Sequence, residues 1–435
     1  MPQLDLTADE LVSALLKLSE TETVCVLDSC GVGYLDSHLL IAGLGPVEVL
    51  EIGGTDPQAT LDLLETKMSA DRSAIFTISY DFGRKLLNIG PTRRRSVIAE
   101  PDVFLALFDS LIVHDYRTGK TTLHGNVDVL AVINTVLRDN ISDLEFEISN
   151  SSVTVNSNFT KEEYLQAINN IHEQIRCGNT YQTNLTRQMT AKLPAELSPQ
   201  TIFSRLRRDH PAPFSAFITR PGSTIISASP ERFIRVDGRH ISTSPIKGTR
   251  PRGRNAEKDA ALRAELAASE KDRAENTMIV DLLRNDIGRV CEFGSVKVEA
   301  LCEIEEHPTY FHLVSTINGK LREKTTFSKL LRAVFPCGSI TGAPKISTMK
   351  IIDEIEPANR GLSMGAIGYY VPEGWQTDLA TFDLNVAIRT MVIRDGTATF
   401  NVGGGIVIDS EPEREWDETV TKARALMTAI GGGFA

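Results

Sequence analysis

Paired cysteines are missing from this chain. Its six cysteines are scattered, with no C-x-x-C pair and no Cys/His ligand spacing, which points to free thiols in a reducing compartment. The eight histidines show no H-E-x-x-H. No run approaches the ~20 apolar residues of a membrane span. The N-terminus, MPQLDLTADELVSALLKLSE, is acidic and amphipathic and lacks the basic region and apolar core of a signal peptide, so a cytoplasmic location is expected. Excess positive charge is also missing: Lys+Arg total 46 against Asp+Glu 57, a net charge of −11. That argues against a nucleic-acid or anionic-membrane surface and leaves room for a local cationic site. There is no fixed-period repeat.

What remains is an ordinary globular composition, 41% hydrophobic and 24% charged over 435 residues, enough for a large core. Short β-rich runs (Thr23–Leu27, Ala74–Ser79, Leu111–His114) mix with helical patterns before residue 137. The Ser/Asn-rich ISNSSVTVNSNFT, 148–160, reads as a linker, which divides the chain into a 1–150 region and a 151–435 region. Thr160 and Glu163 then form a capping box. Tyr164, Ile168, Ile171 and Ile175 follow on one helical face, with Gly178 at the C-terminal cap. TYQTNLTRQMT alternates like a strand. TIISASPERFIRVDGRHIST, 224–243, reads as two strands turning at Asp237-Gly238. Residues 256–290 and 414–430 read as helices. Hairpin-spaced strands with interspersed helices predict an α+β fold, with antiparallel sheets as a sandwich-like core and helices outside.

Several residues stand out chemically. On the 271–290 helix, Glu275 extends the apolar stripe of Ile279 and Leu282 by one turn, where a carboxylate is costly to bury unless paired or bound to metal; the plainer reading is a stripe that ends in water. Glu418 shares a face with Glu415 and Lys422, where the plainer reading is a solvent-exposed i,i+4 pair with Lys422. Gly403, Gly404 and Gly405 read as a glycine loop that brings backbone N–H groups to an anion, or as a bend; the spacing is not a dinucleotide fingerprint. FPCGSITGAPK, 335–345, is not a phosphate loop; it reads as a turn feeding a helix from Pro344. His312 lies in an apolar strand-like run, where a satisfied core histidine is the ordinary expectation. Lys247 sits in SPIKGTRPRGR, either as a hairpin-loop cation or as an amine in a pocket made cationic by Arg250, Arg252 and Arg254.

Taken together, IRCGNTYQTNLTR, SASPERF, PIKGTRPR, KDRAENTMIVDLLRND, HLVST, FPCGSITGAPK, GAIGYY, AIRT and VGGGIVIDSEPEREWDETVTKA resemble, in order and over about residues 158–425, the chorismate-utilising enzymes. That family includes anthranilate synthase component I, aminodeoxychorismate synthase component I, and the isochorismate and salicylate synthases. VLDSCGVGYLDSHLLIAG and ISYDFGR look like its N-terminal region. The resemblance implies an anthranilate synthase component I-like fold. Two positions sort the reactions. Where isochorismate and salicylate synthases carry a water-activating lysine, this chain has Gln182. Where anthranilate synthases carry alanine in P-x-A-G-T, it has Lys247, the mark of the branch that aminates C4; Asn184 is similar to that branch too.

The resemblance implies Lys247 as nucleophile, Glu231 of SPERF as general acid, and Glu275 and Glu418 as holders of Mg²⁺. It implies substrate contacts from Gln182, Thr249, His312, Thr341, Tyr369, Arg389, Gly403, Gly404, Gly405 and Lys422. The implied reaction is amination of chorismate at C4 with ammonia, giving 4-amino-4-deoxychorismate, a folate and p-aminobenzoate precursor. No glutaminase signature lies on the chain, so a separate glutamine amidotransferase would deliver the ammonia. The 1–150 region would carry a regulatory or partner-binding role. Alternatives are anthranilate synthase component I chemistry, or a catalytically silent chorismate-binding subunit, which would be expected to lose a metal glutamate or the acid.

Overall fold

A computed structural model describes residues 2–54, 56–68, 71–90, 96–141, 153–306, 310–375, 377 and 379–434. The fold is α+β, as expected. Two large sheets, of 13 and 10 strands, form its centre, and helices cover their outer faces. Pairing is antiparallel among the described residues, except where the final strand, Gly432–Phe434, runs parallel to Val153–Ser157.

Period-2 alternation builds the layers. In Val24–Asp28, Val24 and Val26 face a core shared with helices Ala8–Leu18, Pro199–Asp209 and Pro412–Ala429, while Cys25 faces the second sheet. In Ser73–Ile78, Ala74, Phe76 and Ile78 join a core with helices Glu270–Gly288 and Phe327–Val334, while Ile75 points between the sheets. Ile75, Phe104, Phe108, Ile218, Ile225 and Ile367 fill the inter-sheet layer.

The first 137 residues are woven into both sheets. Val24–Asp28 pairs with Phe214–Arg220 in one sheet, and Ser73–Ile78 with Ala366–Tyr370 in the other. The boundary read at residues 150 and 151 lies outside the described residues.

Several local readings hold. Thr160 and Glu163 make the reciprocal capping box on helix Lys161–Arg176, and Gly178 follows it at φ +75°. Helix Lys345–Ile355 is capped at Pro344. Others change. The 256–290 run is two helices, Ala256–Ala268 and Glu270–Gly288, split at Ser269, whose side chain accepts from the Asp272 N–H. The 224–243 run is three strands, because Ser223–Ser229 ends before Pro230 and Arg232–Asp237 begins in the other sheet. Pro230 lacks the N–H that a continuing ladder would need. The three glycines are not a loop: they lie inside strand Thr397–Ile406, with Gly404 opposite Leu185.

Candidate active site

Glu231 stands where the chain crosses from one sheet to the other. Its N–H donates to Ser229 Oγ at 3.3 Å, and its carbonyl accepts from Val386 N at 3.0 Å. The side chain is 5% exposed, and Oε1 has no hydrogen-bond partner among the described residues. Burial lifts its carboxyl to about 7; Ser339, Lys247 and Lys422 oppose the rise. A carboxyl titrating near neutrality can give and take a proton there.

Lys247 is a strand residue, not a hairpin-loop cation. It lies in Ile246–Pro251, where the register against Tyr310–Lys320 slips between Ile246 and Thr249. The resulting bulge has Gly248 at φ +84°, a conformation glycine adopts without strain. A Cβ on Gly248 would also stand 2.9 Å from Asp272 and Leu266. The bulge re-aims Lys247, whose Nζ donates to Ser339 O at 3.3 Å. The cationic pocket is not what surrounds it. Arg250 is tied to Glu265 and Asp272, Arg252 to Asp259, and Arg254 is exposed. The charges that reach Lys247 belong to Glu231, Glu275 and Glu418.

Ser339 is the residue the motif reading missed. Its carbonyl holds Lys247 and its side chain bears on Glu231, so it joins acid and amine. Thr341, singled out instead, is fully buried and spends its hydroxyl on Cys337 O and Gly338 O, at 3.1 and 3.3 Å. It shapes the loop, and its carbonyl accepts from Asn184 N at 2.8 Å. Arg360 braces the same loop. It pairs with Glu356 at 2.7 Å, donates to Ile340 O at 2.9 Å and to Asn184 O at 2.7 Å.

The Thr249–His312 pair forms another wall, cross-strand and joined through Oγ1 and Nδ1 at 2.9 Å. The Tyr310 ring lies 4.4 Å from His312, and Arg389, at φ +47°, has its guanidinium 5.9 Å from the Tyr310 ring. Arg389 makes no ion pair among the described residues. Tyr34, in the VLDSCGVGYLDSHLLIAG segment, is buried with its ring 6.5 Å from His312; sequence reading matched the segment to the family but did not single out this residue. Tyr369 stands apart from this set: it lines a cavity of about 360 Å³ with Asp28, Arg232, Arg235 and Asp383.

The glycine strand makes the floor. Lys422 donates to Gly403 O at 2.9 Å and pairs with Glu418 at 2.6 Å. The i,i+4 pair is therefore real, and it is also built into the site. Beside Gly404 converge Glu415, Glu418 and Lys422. On the other face Gln182 is buried across Gly405, and its Oε1 has no partner among the described residues. These contacts separate two substitutions. A Cβ at Gly403 would sit 2.0 Å from Leu185 O, a backbone atom, so Gly403→Ala should destabilise by about 2–4 kcal/mol. At Gly405 the clash is 2.1 Å from Gln182 Nε2, which can swing away. Gly405→Ala should fold nearly as well by urea titration yet bind substrate poorly. Equal destabilisation by both would refute this reading.

Glu275 makes no hydrogen bond or ion pair among the described residues, and burial raises its carboxyl against Lys247 and Lys271. Glu418 is held below the usual carboxylate range, chiefly by Lys422, with Lys271 and Lys247 contributing. Hard carboxylate oxygens sharing the same lysines are a donor set that fits a small divalent cation. Glu415, which the sequence placed on the same helix face as Glu418 without a role, lies beside Glu418 at Gly404 and bears on Glu275.

Residues 43–428 match the family model described as chorismate binding enzyme. Aminodeoxychorismate synthase component 1 of Escherichia coli is 38% identical over 358 residues, 82% of this chain and 76% of that protein. Anthranilate synthase component 1 3 of Haloarcula marismortui is 45% identical over 280 residues, 64% of this chain and 54% of that protein. This chain thus spans only about half of that relative's length, and its match to the aminodeoxychorismate synthase of Streptomyces pristinaespiralis covers 36% of that protein. Among solved structures, anthranilate synthase component I of Streptococcus pneumoniae superposes with a TM-score of 0.78 at 28% identity, covering 90% of this chain and 92% of that one. The ordered motifs, the two-sheet fold and the match over most of the chain agree: this protein belongs to the chorismate binding enzyme family.

Proposed function

We propose that this protein aminates chorismate at C4, giving 4-amino-4-deoxychorismate. The observation that carries the proposal is Lys247 on its bulge, joined through Ser339 to the buried acid Glu231. Relatives named for both the aminodeoxychorismate and the anthranilate reactions occur at similar identity, so Lys247 is what favours the first. The retention of Glu231, Glu275 and Glu418 argues against a silent binding subunit.

The chemistry follows from these side chains. Glu231 protonates the C4 hydroxyl, which leaves as water. The neutral Lys247 amine adds at C2, and the ring double bonds shift toward C4 as that C–O bond breaks. Ammonia then adds at C4, the double bonds return, and the C2–N bond breaks to release Lys247. Glu231, now a carboxylate, takes the proton that the incoming ammonia loses. The sum is ammonia in and water out. Lys422, Arg389 and the N–H groups of the glycine strand suit the substrate's two carboxylates. Glu275 and Glu418 would hold Mg²⁺, which when bound would neutralise the ring carboxylate and draw electron density from the ring. Ammonia would come from a separate glutamine amidotransferase.

The test is product identification by mass spectrometry after incubation with chorismate, Mg²⁺ and an ammonium salt. An amino product that keeps the enolpyruvyl group supports the proposal. Anthranilate plus pyruvate refutes it and favours the anthranilate synthase reading.

A further inference from the structure

Three lysines share the carboxylate cluster, and two have evident tasks. Lys247 is bonded to Ser339 O, and Lys422 to Gly403 O and Glu418. Lys271 is left over. It lies in the first turn of helix Glu270–Gly288, one turn before Glu275. Its ammonium stands 3.5 Å from Oε1 of Glu415, which is itself buried and accepts a 2.7 Å hydrogen bond from Ser410 at the same oxygen. The positive charge of Lys271 also bears on Glu275 and Glu418. Its side chain is half exposed, so it can withdraw to water at little cost.

We propose that Lys271, held beside Glu415, is a displaceable counter-ion that competes with the divalent cation for Glu275 and Glu418. This rests on the reading that Glu275 and Glu418 hold that cation. Lys271 acts on both Glu275 and Glu418 without a hydrogen bond to either. A divalent ion entering alone adds two positive charges beside the Lys271 ammonium, whereas a divalent ion entering with a dianionic substrate adds no net charge. Lys271 therefore weakens binding of the metal alone and favours joint binding, a reciprocal coupling between the two ligands.

The test is Mn²⁺ titration of the full chain, followed by the electron paramagnetic resonance signal of free Mn²⁺ at low ionic strength, for the unaltered protein, Lys271→Gln, Lys271→Arg and Glu275→Gln. Lys271→Gln should bind Mn²⁺ about tenfold tighter, from removal of one nearby positive charge. Lys271→Arg, which keeps the charge, should match the unaltered protein. The gain should shrink when chorismate is present and at high salt. Circular dichroism checks that each variant folds. Affinities of Lys271→Gln and the unaltered protein within twofold of each other, with Glu275→Gln abolishing binding, would overturn the role of Lys271 while leaving the metal assignment intact. Weaker binding by Lys271→Gln would make Lys271 a support of the site and overturn the proposal. Saturable binding in none of the proteins, with or without chorismate, would overturn the metal assignment and this inference together.

Discussion

Lys247→Ala is expected to lower C4 amination by roughly 10³-fold or more while leaving substrate affinity within a few-fold, because it removes a bond-forming group. The fold should tolerate the change. Lys247 is partly buried and, among the described residues, makes one hydrogen bond, to Ser339 O, and the bulge geometry is set by Gly248. Lys247→Arg should fail as completely, since a guanidinium stays charged and cannot attack. Whole-protein mass spectrometry without ammonia gives a direct readout. The unaltered chain should gain the mass of chorismate less water at Lys247, and ammonia should discharge it. A Lys247→Ala variant that forms the amino product at the normal rate would eliminate the covalent route and reduce Lys247 to a charge near Glu231. The prediction is sharpened by what surrounds the amine. Among the described residues, carboxylates and a carbonyl face it rather than arginines, and Glu231 promotes its attack by yielding a proton to the leaving C4 hydroxyl.

The division between what was legible in the sequence and what was not follows a physical line. Helix Lys161–Arg176 could be read residue by residue, because capping and the Tyr164–Ile168–Ile171 stripe are local. The α+β class followed from strand spacing, and the family from the ordered motifs. What could not be read is non-local. The bulge that turns Lys247 inward is a mismatch between two strands, visible only once Ile246 is paired with Val314 and Thr249 with His312. Ser339 and Thr341 sit two residues apart in one glycine-rich motif, and only the fold shows which hydroxyl is already spent. Gly403–Gly405 looked like a loop because glycine weakens strands on average, whereas here a Cβ at Gly403 or Gly405 would collide with the neighbouring strand or its side chain. Tyr34 and Glu415 are brought to the site by topology, from an N-terminal turn and the first turn of the last helix.

Glu231→Gln is expected to separate the two consequences of burying that carboxyl. Catalysis should fall by about 10²–10⁴-fold, since an amide neither donates the proton to the leaving hydroxyl nor recovers it. Stability should move the other way, and only in one pH range. The folded carboxyl titrates near 7, above its ordinary value of 4.5, because burial penalises the charged form. Below 4.5 it is neutral in both folded and unfolded chains, and the glutamine variant gains nothing from pH. As pH rises through the interval to about 7, the unfolded chain releases its proton more readily than the folded one, so the unaltered protein loses stability. Above about 7 the folded protein carries a buried anion, and the full difference is in place, about 3 kcal/mol. Urea titrations of both proteins should therefore diverge between pH 4.5 and 7 and run parallel above, with Glu231→Gln the more stable. The unaltered enzyme's kcat/KM, at fixed free ammonia, should decline above about pH 7 as the acid is lost. A stability gap that does not change with pH would mean that Glu231 is not held protonated by its surroundings, and the acid role would then need a different residue.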